Sequence, residues 1–319
     1  MSDYTFVNKV GANFTLFNCM FPVLLVCSGG FERADTSKMR RFALFVTLFT
    51  SITTIYGTYL FSGASPCREL ATGQNSSVLA IYKMANIGGY GYIYYLVIIT
   101  PCLVRLLLKR FSWNVLIVLL CNFYCIIRSE YTTALLLTFL GLCLSIMMFS
   151  KSKLLKVAMV MVGVLALTSF GQQLLYWGIS QFSDSYSVSS RLEMVAEFSE
   201  TGSTYGDMED RGMLYNMSWN TFLDNPIFGG RFSDMCKLGN HSEFLDFLGY
   251  SGLVGMICLF MYLVYIARHT KIRSIKWSEP YNRITLIIAI VLASINTFMA
   301  PEMYYALVVI PLLTTDTTN

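Results

Sequence analysis

The side chains best suited to chemistry in this sequence fall in one polar stretch, Asp210–Gly252, which holds Arg211, Arg231 and His241 among turn residues. A guanidinium keeps its charge and presents a planar fork of donors, which suits a phosphate oxygen. Arg231 directly follows Gly229-Gly230, where the backbone can turn sharply and come close to a ligand. His241 lies in Asn240-His241-Ser242-Glu243, and Asn followed three residues later by Glu resembles a capping box at the start of a helix. That spacing places His241 in the first helical turn, at the positive end of the helix dipole, where a neutral imidazole and bound anions are favoured. Glu243 and Asp246 follow at the edge of an apolar run, where an ionisable residue is a functional candidate.

The elements that must position these groups are legible on either side. Asp207 can cap a helix with Glu209 and Asp210 in its first turn, running to about Leu223. Along it Arg211, Tyr215, Trp219 and Phe222 recur at helical spacing and share one face. Two readings stay open: an arginine entering a cleft above an aromatic stripe, or an interfacial amphipathic helix whose arginine snorkels. The helix should stop at Asn225-Pro226, because the residue before proline is pushed out of the helical region.

The rest of the chain belongs in a bilayer. Of its 319 residues 55% are hydrophobic and 13% charged, about half the charge of an ordinary soluble domain. A helix needs about 20 apolar residues to cross the hydrocarbon core. Long enough runs are Val10–Phe31, Phe42–Cys67, Met84–Val104, Tyr131–Ser150, Val157–Ser183 and Phe247–Ala267, with shorter ones at Phe111–Ile127, Ile284–Pro301 and Met303–Thr315. Val10–Phe31 reads as a span or an interfacial segment rather than a cleaved leader. The expected fold is all-α, a polytopic membrane protein with about 8–9 transmembrane helices and one large helical loop. Its expected divisions are 1–183, N-terminal transmembrane helices; 184–243, the loop; and 244–319, C-terminal transmembrane helices.

Orientation follows from basic residues. Assigning Glu32–Arg41, Arg105–Arg110, Lys151–Lys156 and Arg268–Arg283 to the cytoplasm puts 15 of the 23 Lys and Arg residues there. The long loop then lies on the opposite side, and the carboxyl end is cytoplasmic. Ten acidic residues in that loop outweigh Arg191, Arg211, Arg231 and Lys237, so it does not attract nucleic acid. Its aromatic and aliphatic content argues for a folded cap over a disordered connector.

Elsewhere the residues are less pointed. Arg128-Ser129-Glu130 makes a tight outer turn, and Arg128 is either an interfacial anchor paired with Glu130 or an arginine aimed into an outward-facing cavity. The tyrosines of Ile87–Tyr95 read first as an interfacial belt and second as sugar-stacking rings. Most of the nine cysteines sit in apolar runs and read as small buried hydrophobes without metal-ligand spacing. Cys67 and Cys236 share the outer face, where an oxidising compartment would let them pair. Neither a nucleotide-binding P-loop nor a nucleophile-elbow motif occurs.

Taken together, Arg211, Trp219, Asp224-Asn225-Pro226, Gly229-Gly230, His241, Gly249 and Gly252 resemble the signature of the bacterial O-antigen polymerase and O-antigen ligase superfamily. The resemblance covers about forty residues, and the rest of the chain is similar in layout only. Departures are His241-Ser242 in place of the usual histidine-asparagine pair and a glycine turn running directly into Arg231.

The resemblance implies a glycosyltransferase of the inner membrane with a periplasmic loop, joining sugar chains carried on undecaprenyl diphosphate, with no cofactor and no metal. It implies Arg211, Arg231, Arg128 and Arg191 as diphosphate-binding residues, His241, Arg211 and Glu243 as catalytic ones, and Trp219, Asn225, Pro226, Gly229 and Gly230 as shaping the loop. The arginines would stabilise charge on the leaving diphosphate, and His241 or Glu243 would take the proton of the attacking hydroxyl. Implied partners are the lipid-linked glycan donor and acceptor, membrane lipid and a chain-length regulator protein. The signature is shared by polymerases, which extend repeat units, and ligases, which transfer the polymer to lipid A–core. A polysaccharide flippase is the competing reading from another class, and it would show paired helical halves; the sequence has none.

Overall fold

In the computed structural model, the structure describes residues 36–61, 66–72, 76–149, 152–154, 156–158, 161, 207–232, 236–269, 280–297 and 300–306, and these are helical with no strand among them. The helices are α1 (Thr36–Leu60), α2 (Pro66–Thr72), α3 (Ser76–Met84), α4 (Tyr90–Lys109), α5 (Trp113–Arg128), α6 (Thr132–Phe149), α7 (Asp207–Asp224), α8 (Glu243–His269) and α9 (Pro280–Ile295), with a 3₁₀ turn at Gly230–Phe232. They divide into two compact units. The first holds α1 to α6, α9 as far as Ile288, and residues 302–306; the second holds α7, the 3₁₀ turn, α8 and the stretch Ala289–Pro301.

Among the described residues, four helical stretches are long and apolar enough to cross a membrane: Lys38–Leu60, Tyr90–Lys109, Thr132–Phe149 and Glu243–Met261. Trp113–Arg128 and Arg283–Ile295 are apolar but shorter. Of the expected spans, Val10–Phe31 lies outside the described residues, as do nearly all of Val157–Ser183 and most of Met303–Thr315. Two boundaries move. The span expected at Phe42–Cys67 ends at Leu60, and Cys67 falls in α2, opened by Pro66, whose fixed φ suits a first helical position. The span expected from Met84 begins at Tyr90, because Asn86 takes a positive φ of 52° and the chain runs non-helically through Ile87-Gly88-Gly89.

Helix α1 shows what kind of environment the first unit is built for. Phe42, Phe45, Phe49, Ile52, Tyr56 and Tyr59, at alternating spacings of three and four, form one fully exposed apolar face. The opposite face buries Thr47, Ser51, Thr54 and Thr58. A water-soluble helix has the reverse pattern. In a bilayer, lipid covers the apolar face while helices join through small and polar side chains.

Helix α4 sits at the centre of this unit, buried from Gly91 to Val104 and packed on α5 and α6, while α1 packs on α5. Tyr92, Tyr94 and Tyr95 are therefore core residues, which corrects their reading as an interfacial belt. The reason is the polar face of α1: Tyr95 Oη lies 2.8 Å from Thr47 Oγ1, Tyr92 Oη donates to the Thr47 carbonyl at 2.8 Å, and Ser51 Oγ donates to Asn122 Oδ1 on α5.

Beyond the spans, Cys67, Tyr82 and Ile87 make a small core with Phe61, Leu70, Val78 and Tyr131. Tyr131 Oη donates to the Cys67 carbonyl at 2.6 Å, and Tyr82 Oη to Glu69 Oε2 at 3.0 Å. Burial first, and the Glu130 charge second, push the Cys67 thiol up to about 12. Cys67 and Cys236 are both free thiols.

Candidate functional site

The second unit is assembled on one face of α7, and it is a different face from the aromatic stripe. Ser218 and Thr221 are buried, whereas Trp219 is exposed and touches Phe222 at 5.3 Å between ring centroids. Small side chains win the packed position because the partners approach closely. A Cβ on Gly239 would overlap the Leu214 backbone, and one on Gly249 would lie 2.7 Å from the Ser218 carbonyl oxygen. Thr221 Oγ1 donates to the Lys237 carbonyl at 2.6 Å, and Tyr215 Oη to the Ile295 carbonyl at 3.0 Å. Arg211 is helical, within the first two turns of α7.

After α7 the chain turns where Asn225-Pro226 requires. Gly229 N–H donates to the Asn225 carbonyl at 2.8 Å, with Gly229 at φ 70°. This turn docks on α8 at a break. Gly252 takes φ 64° and ψ −167° inside the helix, so Leu253 and Val254 cannot donate to the preceding turn of α8. They donate instead to the Pro226 and Ile227 carbonyls, at 2.9 and 3.1 Å. The second half of α8 thus has an amino end of its own, capped by the Pro226 turn. The two glycines meet there: a Cβ on Gly252 would lie 2.5 Å from Gly229 N, and one on Gly229 would overlap the Tyr250 carbonyl. Both positions need a positive φ and bare backbone, which only glycine combines without strain.

The turn leads into Gly230, buried against Thr221 and Cys236, and then Arg231 on the 3₁₀ turn. Arg231 is exposed and its guanidinium carbon stands 5.7 Å from the centroid of the Tyr250 ring. A guanidinium over an aromatic face is held by the ring quadrupole.

The start of α8 differs from the expected capping box. The cap is Ser242, whose Oγ accepts from Leu245 N–H at 3.3 Å, and the helix opens at Glu243. His241 therefore precedes the cap instead of lying in the first turn. The reason is Asp246: its Oδ2 accepts the Ser242 N–H at 3.2 Å, which supplies the reciprocal half of the cap from one position later than the usual box. Asp246 Oδ1 also accepts from Ser218 Oγ and from Asn240 N–H at 3.1 Å. Asn240 adopts φ 56°, and its carbonyl lies 2.8 Å from His241 Nδ1. His241 is half-exposed, as is Glu243, whose N–H donates to the Asn296 carbonyl at 3.2 Å.

The second unit thus brings together Arg211 by its backbone, Trp219, Asn225, Pro226, Gly229, Gly230, Arg231, His241 and Glu243. Arg128 belongs to the first unit. It closes α5 in a turn completed by Glu130 at φ 61°, and its charge acts on the Cys67 thiol. Arg191 lies outside the described residues. Sequence reasoning missed Ser218, Thr221 and Tyr250, and it gave Asp246 no partner. The signal for the first two was the spacing of Ser218 and Thr221, small polar residues three apart beside the aromatic stripe.

Among the described residues, four membrane-length helical stretches, α1 with its apolar face outward, mark an all-α membrane protein. Within that class, residues 115–260, from α5 into the second half of α8, match the family described as O-antigen ligase. The match supports the resemblance of this part of the chain to the O-antigen polymerase and ligase superfamily, whose members are glycosyl-transfer enzymes. No curated protein and no solved structure matches the chain.

Proposed function

We propose that this protein is an O-antigen polymerase of the bacterial inner membrane, joining undecaprenyl-diphosphate-linked repeat units on the periplasmic side, with loop 184–243 periplasmic and the carboxyl end cytoplasmic. The observation that carries the reading is the mounting of His241 and Arg231 within one family-matched unit. The histidine is held by its Nδ1 side beside the start of α8, and the arginine is exposed on a turn locked into the same helix. A proton acceptor and a fixed cation are what transfer from a lipid diphosphate needs. The acceptor hydroxyl oxygen bonds to the anomeric carbon, the bond from that carbon to the diphosphate oxygen breaks, and the hydroxyl proton passes to His241 or Glu243. Arg211 and Arg231 would hold the charge that gathers on the departing diphosphate. The displacement is a single inverting step, and no nucleotide is needed because the donor arrives activated.

Polymerase is preferred over ligase on the weak resemblance of the sequence outside the matched residues 115–260, as expected where each enzyme follows its own repeat unit. The test is gene deletion followed by gel analysis of the surface glycan. One repeat unit on lipid A–core is the polymerase result, and accumulated unlinked polymer would assign a ligase instead. Loss of outward-facing lipid-linked intermediates would move the reading to a flippase. In the polymerase case, His241→Ala is expected to reach the membrane at normal abundance and abolish chain extension. Normal long chains from that variant would remove His241 from the site.

A further inference from the structure

We propose that Asp246 is a positioning residue that fixes the tautomer of His241. Two bonded contacts grip Asn240 from opposite sides. Its N–H donates to Asp246 Oδ1, and its carbonyl faces His241 Nδ1 at 2.8 Å. A backbone carbonyl can only accept, so the Nδ1 end of the ring must carry the proton. The lone pair is then on Nε2, the other end of the ring. Asn240 sits at φ 56°, a left-handed conformation open to asparagine. Asp246 holds it there.

The carboxylate does this with three donors, from Ser218 Oγ, Asn240 N and Ser242 N, so α7, the loop and the α8 cap all converge on it. Ser218 Oγ in turn accepts the Gly239 N–H at 2.9 Å, bracing the residue before Asn240. Asp246 is thereby committed to the backbone of 240–242 and not to a substrate proton. Its effect reaches the reaction through His241, which makes this inference rest on the reading of His241 as the base. A histidine side chain free in water prefers the opposite, Nε2–H tautomer, which would place a proton where the base needs a lone pair.

The experiment uses the full chain in lipid nanodiscs, labelled with ¹⁵N-histidine, at a pH where imidazole is neutral. The chain has two histidines, and His269→Gln assigns the signals. Wild-type His241 should show the Nδ1–H pattern, and Asp246→Asn and Ser218→Ala should shift it toward Nε2–H. Ser218→Ala removes one hydroxyl only, so it serves as the folded control if Asp246→Asn is poorly produced. An unchanged tautomer in both variants overturns the proposal. Chain extension on a lipid-diphosphate-linked repeat unit gives the second readout. Asp246→Asn should lose about tenfold or more, and Asp246→Glu, which keeps a carboxylate, should recover part of that loss. Full extension by Asp246→Asn would overturn the positioning role. Normal extension by His241→Ala alone would instead sink the base reading and leave the tautomer result standing.

Discussion

At the scale of single residues, Arg231 shows how an exposed charge is held in place. The ring of Tyr250 lies under the guanidinium at 5.7 Å, and the turn that carries Arg231 is pinned by the Gly229–Gly252 contact. A charge-assisted hydrogen bond to an anion is worth about 1.5–3 kcal/mol, so Arg231→Ala should lower chain extension by roughly 10- to 100-fold. Arg231→Lys should restore less than half of that loss on a logarithmic scale, because an ammonium lacks the planar fork and stacks poorly on tyrosine. Equal activity of Arg231→Lys and wild type in an extension assay would show that charge alone matters there.

At the scale of elements, the broken α8 is the feature on which the unit depends. The Gly252 break creates a helix amino end in mid-element, and the Pro226 turn satisfies it. Gly252→Ala should therefore destabilise the second unit by about 1–3 kcal/mol from backbone conformation alone, with the clash against Gly229 N and the Ile227 carbonyl in addition. Gly212→Ala, also in a helix, is the contrast: a Cβ there meets nothing within 4 Å, so helix propensity predicts a gain of up to about 1 kcal/mol. Thermal unfolding in detergent distinguishes the two, and a Gly252→Ala protein as stable as Gly212→Ala would remove the break from the account.

Across the whole molecule, the first unit obeys lipid as its solvent. The exposed aromatic face of α1 costs nothing in hydrocarbon, while its hydroxyls find Tyr92, Tyr95 and Asn122 inside. Phe49→Lys on the exposed face should cost about 2.5–3.5 kcal/mol of insertion and lower membrane integration in a reporter assay. The conservative Phe49→Leu should leave it unchanged. If Phe49→Lys integrated as well as wild type, the exposed face of α1 would not be a lipid face.

What the sequence determined by itself was everything governed by local rules. Apolar runs gave the helices, Asn225-Pro226 ended α7 where proline forbids helix, and the order of Arg211, Trp219, Asn-Pro, the glycine pair and His241 carried the family resemblance. Tertiary structure decided which faces met. Tyr92 and Tyr95 are core and not belt because hydroxyls of α1 lie opposite them, a fact written about forty residues away. His241 precedes its helix because Asp246 draws the cap to Ser242, and α7 buries Ser218 over Trp219 because Gly239 and Gly249 admit only close backbone contact. Local spacing fixes what a residue can reach along its own helix; which partner stands opposite is settled only when separate segments pack.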